Sequence, residues 1–194
     1  MSAFLGPIHH WLYRKIQLQE ELTEALLTGQ EQLNQKLDAS CGAAERRPLA
    51  EVIDTDNIHG WLQEQVSVVE GRFAAAVTEL LIGKYKDMES LKQTAHAFGR
   101  EHAVVAADAP EAFQSLSDLL LDGMPCDHVN EVLEQTDHRV AWRQKVDLHQ
   151  KFWQNVGGDA ANYYALREAM ISGMLQDCGF AFSQNGDEFS IERR

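Results

Sequence analysis

Apolar residues return at helical spacing from Ile8 to Leu37, placing Ile8, Trp11, Leu12, Ile16, Leu22, Leu26, Leu33 and Leu37 on one face. Gly6-Pro7 supplies an entry, because proline fits the first helical turn. The pattern lapses from Asp38 to Asp54, where Gly42, Pro48 and small polar residues read as a connection holding about one turn of helix. It resumes from Thr55 to Ile82 with Ile58, Trp61, Leu62, Val66, Val69, Phe73, Val77 and Leu80, and Gly83 is a natural stop.

Asp87 can cap a third helix striped with Met88, Leu91, Ala95, Phe98, His102 and Val105, so that His102 is expected to face inward. Asp108, Pro110 and Glu111 open a shorter fourth helix ending near Gly123. Asp127 is expected to cap a long fifth helix running to Asn155, and Asp159 a sixth through Tyr163, Leu166, Met170 and Met174. The period then changes. Phe180-x-Phe182 and Phe189-x-Ile191 flank Asn185-Gly186, the dipeptide of a two-residue hairpin turn. Such a turn pairs Phe182 with Phe189 and Phe180 with Ile191, all on one face. An isolated hairpin is marginal in water, so this face must pack on something. The expected fold is mainly α, a bundle of five to six helices carrying a small C-terminal β-hairpin. Residues 1–194 form one domain, with 179–192 as its hairpin appendage.

Charge narrows the function. Seventeen Lys and Arg stand against 30 Asp and Glu, a formal net charge of -13. That field repels phosphate backbones and anionic lipid, so neither nucleic acid nor a membrane is expected as a partner. The opening residues lack the basic start of a signal peptide, and no apolar run is long enough for a membrane span. The three cysteines, Cys41, Cys126 and Cys178, form no CxxC pair, which fits a reducing cytoplasm. A homo-oligomer could form through the hairpin or an apolar helix face.

The chemical lead is a pattern repeated fifty residues apart. Ile8-His9-x-Trp11-Leu12, Ile16 and Glu20 match Ile58-His59-x-Trp61-Leu62, Val66 and Glu70. Each histidine shares a helix face with its glutamate about 16 Å further along. Glu20 sits among Leu12, Ile16 and Leu27, and Glu70 among Val66, Phe73 and Val77, where a carboxylate is costly unless paired or metal-bound. If the two helices fold back antiparallel about Asp38–Asp54, Glu20 meets Glu70 and the histidines lie at opposite ends.

Facing glutamates inside a helical bundle are what carboxylate-bridged di-iron or di-manganese sites use, with histidine completing the shell. The metal set read this way is Glu20, Glu70, His9, His59, His102, Glu134 and His138. The Glu-x-x-His pairs of such bundles are missing; Asp56-x-x-His59 and Glu134-x-x-x-His138 are the nearest spacings. His149, between Trp142, Val146 and Trp153, is a weaker cofactor candidate as a haem ligand, and more often such a histidine is a hydrogen-bonded core residue. Cys126, with His128 beside it, is a candidate reactive thiol. The leading reading is a metal-binding bundle holding iron or manganese, and as an enzyme a metal-dependent oxidoreductase. The alternative is a non-catalytic ligand-sensing or protein-interaction module without metal, binding a small molecule not identified by the sequence.

Overall fold

A computed structural model describes residues 5–123, 127 and 129–194. Cys126 and His128 lie outside them. The first helix, α1 (Pro7–Leu26), stops earlier than its apolar stripe, because Gly29 takes a φ of 81° and turns the chain. The rest of the stripe becomes a second helix, α2 (Glu31–Cys41), which buries Leu33 and Leu37. A short α3 (Leu49–Val52) follows, and then α4 (Ile58–Ile82), capped by the Asn57 side chain.

The extra helix reverses the chain once more than expected, so α1 and α4 run parallel. Their contacts keep a near-constant offset along both helices: His9 with His59, Tyr13 with Trp61, and Glu20 with Arg72. This corrects the antiparallel pairing expected from the sequence. The histidines meet at one end instead of lying at opposite ends.

Asp87 caps α5 (Met88–Glu101) and Asp108 caps α6 (Ala109–Leu119), both through side-chain oxygens that accept backbone N–H bonds. The Asp159 carboxylate accepts from Ala161 at the start of α8 (Ala161–Met174). Helices α5 and α8 touch backbone to backbone. A Cβ added at Gly99 would lie 2.1 Å from the Met170 carbonyl oxygen, and one at Gly173 would lie 2.1 Å from that of His96.

The expected fifth helix is the main departure. Residues Asn130–Gln135 and Arg139–Gln144 form antiparallel strands β1 and β2, and only α7 (Gln150–Asn155) remains helical. The physical cause lies in β4: Val140, Ala141 and Trp142 of β2 are buried by pairing with it, and tertiary pairing overrides the helical propensity of this polar stretch.

The C-terminal hairpin forms as β3 (Phe180–Asn185) and β4 (Glu188–Arg193), completing an antiparallel sheet in the order β1-β2-β4-β3. Its register differs from the sequence expectation. Phe182 pairs with Ile191 and Asn185 with Glu188, so Gly186-Asp187 are the turn residues. Gly186 has a φ of 64° while Asp187 is not among the positive-φ residues, as in a turn with glycine at its first central position. The slip is by two residues, which keeps every side chain on its expected face. Phe180, Phe189 and Ile191 are buried in the chain's larger core together with α5, α6 and α8.

Candidate functional site

Glu20 and Glu70 each have their own cationic partner. Arg72 Nε donates to Glu20 Oε1 at 2.9 Å and to Oε2 at 3.1 Å, with both side chains buried. The other guanidinium nitrogens reach α2, donating to Asn34 Oδ1 at 2.8 Å and to the Gly42 carbonyl at 3.1 Å, with Asp38 as a second ion-pair partner. Arg72 thus ties α1 and α2 to α4. Burial pushes the Glu20 carboxyl up, and the Arg72 charge opposes that.

Glu70 is two positions from Arg72 on α4, which turns it toward a different side of the helix. Its Oε2 lies 3.0 Å from His149 Nδ1. His149 precedes α7, held there because the Asp147 carboxylate accepts its backbone N–H at 2.8 Å. The other ring nitrogen, Nε2, is 3.6 Å from Asp122 Oδ1, an ion-pair separation longer than a hydrogen bond. Asp122 in turn takes both ends of the Arg167 guanidinium, with Nη1 at 2.7 Å. The Tyr163 ring stacks on His149 at a centroid distance of 3.8 Å.

The result is a chain of alternating charge through the interior, Glu70–His149–Asp122–Arg167. Burial alone would lower the His149 pKa, but the carboxylates on either side outweigh it and hold it up at about 9. Burial would likewise raise Asp122, yet Arg167 and His149 keep it ionised well below the ordinary carboxylate range. His149 is therefore an imidazolium at neutral pH. It is the buried, hydrogen-bonded core histidine that the sequence offered as the alternative to a haem ligand, and Asp122 stands beside its second nitrogen.

Two clefts flank this chain. One, of about 450 Å³, has Glu70 and His149 in its lining, with Leu12, Val66, Leu121, Leu148 and Phe152 as its apolar wall and Gln63, Ser67 and Lys151 among its polar groups. Glu70 Oε1 has no hydrogen-bond partner among the described residues, although Glu70 is only 2% exposed. The second cleft, of about 290 Å³, is lined by Lys15, Asp122 and Trp11. Gly123 lines both.

The remaining sequence candidates are dispersed. His9 and His59 meet at Nε2 to Nε2, 3.3 Å apart. His102 is half-buried at the C-cap of α5 with its ring 4.5 Å from Phe98, and Val105, expected to continue that stripe, is 89% exposed. Glu134 lies exposed on β1, bonded to Arg139, and His138 is exposed in the β1–β2 turn. Among the described residues no group of three or more His, Cys, Asp or Glu side chains is disposed to hold a metal ion. Also among them, no helix is long and apolar enough to cross a membrane. Sequence reasoning missed Asp122, Arg167 and Lys15. Arg167 falls on the same face of α8 as Tyr163 and Met170, four and three positions away, and an arginine within an apolar stripe was the available signal.

Comparison with protein-family models, with curated proteins and with solved structures gives no match.

Proposed function

We propose that this chain is a ligand-binding module whose pocket is the cleft over Glu70 and His149. The ligand class is a small molecule with an apolar body and a hydrogen-bond-donating, cationic head such as an amine or amidine. The observation that carries this is Glu70 Oε1, a buried carboxylate oxygen without a hydrogen-bond partner among the described residues, at the wall of a cleft with an apolar side. Leaving such an atom unpaired costs roughly 1–3 kcal/mol, which a donor on the ligand would recover.

Binding is favoured over general-base catalysis by the state of His149. An imidazolium clamped between two carboxylates, with a pKa near 9, has no site left to accept a proton near neutral pH. A metal shared by Glu20 and Glu70 has less support, since Arg72 and His149 already balance the two charges.

The test uses benzamidine and 2-phenylethylamine as probes in calorimetry and thermal shift. Both are expected to bind the native protein and to lose at least about ten-fold in affinity to Glu70→Gln, the value of one charge-assisted hydrogen bond. Equal binding to both proteins, or none to either, overturns the reading. Stoichiometric iron or manganese in the native protein, lost in Glu70→Gln, would favour the metal-binding bundle instead.

A further inference from the structure

Lys15 is a lysine where lysines are rarely found. It projects from α1 with only 2% of its surface exposed, and no ion pair or hydrogen bond to its ammonium is found among the described residues. Its Nζ lies 3.6 Å over the centre of the Trp11 ring. The nearest acidic groups are engaged elsewhere: Asp122 with Arg167, and Asp118 by the Trp11 indole N–H at 2.8 Å and the Gln114 amide at 3.0 Å. The amine lines the cleft of about 290 Å³, whose other walls are apolar (Trp11, Phe113, Val129, Val132), neutral hydrogen-bonding groups (Gln114, Ser117, Asn130) and the Asp122 carboxylate, which already pairs with Arg167.

We propose that Lys15 is a carbonyl-capturing amine that forms a reversible imine with a small aldehyde or ketone seated in this cleft. The neutral Nζ attacks the carbonyl carbon to give a carbinolamine. The two amine hydrogens then leave with the carbonyl oxygen as one water, and a C=N bond replaces C=O. No oxidant or reductant is consumed. Three features supply what the step needs. Burial disfavours the ammonium, and although Asp122 and Asp118 oppose it, the Lys15 pKa is lowered to about 8, leaving a usable share of free amine near neutral pH. The Trp11 ring fixes the nitrogen over one face, and Gln114, Ser117 and Asn130 offer donors and acceptors for the carbinolamine hydroxyl. The volume sits at the low end for small-ligand sites, about 300 Å³, and suits a compact apolar carbonyl compound.

This inference does not rest on the amine-binding cleft at Glu70, which lies on the other side of Gly123. The full-length protein at pH 7 is mixed with benzaldehyde at a few equivalents, reduced with sodium cyanoborohydride, and mapped by peptide mass spectrometry. Lys15 should carry the benzyl group on the order of ten-fold faster than the exposed Lys36, because depression of its pKa raises the free-amine fraction more than it lowers nucleophilicity. Lys15→Arg, which keeps the charge over Trp11, should lose this label while the surface lysines keep theirs. Labelling of Lys15 no faster than Lys36 in the native protein overturns the proposal, and that reading does not depend on any variant folding.

Discussion

His9 and His59 face each other across the start of α1 and α4, Nε2 to Nε2, at 3.3 Å. The proton between them can be placed. The Gly6 N–H donates to His9 Nδ1 at 2.9 Å, so in a neutral ring Nε2 carries the hydrogen and donates it to His59. A proton added to either ring removes an acceptor. Burial and the His59 and His10 charges lower the His9 pKa from its ordinary 6.5.

The sign of the pH effect follows. A histidine whose folded pKa is depressed adds stability that is present above about 6.5 and lost as pH falls toward the folded value. The native protein should lose about 1 kcal/mol, or about 2–4 °C in melting temperature, between pH 7.5 and pH 5 from this pair. His59→Gln keeps an acceptor for His9 but removes the neighbouring imidazole that helps to lower the His9 pKa, and should flatten that loss. Identical acid sensitivity in the two proteins would count against the pairing.

The Glu20–Arg72 pair predicts an asymmetry. Glu20→Ala leaves a buried guanidinium with one partner fewer and should destabilise by about 3–5 kcal/mol in chemical denaturation. Glu20→Leu with Arg72→Met should cost far less, because both charges go together. A single substitution as mild as the double one would mean that the charge is solvated.

His149 and Lys15 act on stability in opposite senses at alkaline pH. The raised His149 pKa contributes stability that is complete below about 6.5 and lost as pH rises through about 9, at most about 3 kcal/mol. The lowered Lys15 pKa acts the other way: the cost of its buried charge is constant below about 8 and relieved as pH rises from there toward 10.5. Lys15→Met should therefore be more stable than the native protein at pH 7 and should lose stability more steeply from pH 8 to 9. Parallel pH profiles for the two proteins would contradict the Lys15 assignment.

The C-terminal hairpin should be essential to the sheet as well as to the core. Strand β4 lies between β2 and β3, so removing residues 179–194 exposes the edge of β2 and the buried Trp142. Phe180→Ala or Ile191→Ala should each cost about 2–5 kcal/mol, and the truncated chain should aggregate. A truncated protein that melts like the full chain would show the helices to be independent of the sheet.

Asp87, Asp108 and Asp159 announced their helices because a side-chain cap is a local device. The hairpin was found for the same reason, although Gly186 rather than Asn185 proved to open the turn. Gly29 sits inside a continuous apolar stripe that hides it, and that one break decides whether α1 and α4 run parallel. The β1–β2 hairpin is hidden in the sequence because Glu134, His138 and Trp142 recur at helical spacing, while the pairing that makes Val140 and Trp142 a strand comes from residues about fifty positions later. The buried charge chain was half visible. Glu70 and His149 each stand out alone among apolar neighbours, but nothing local links positions 79 residues apart.

The most direct measurement is the protonation state of His149. In protein labelled with nitrogen-15 at histidine, its ring nitrogens should both show the shifts of N–H at pH 7.5, persist so to about pH 9, and lose that state in Glu70→Gln. Nitrogen shifts of a neutral, single-tautomer ring for His149 at pH 7.5 would contradict the charge chain and the binding role built on it.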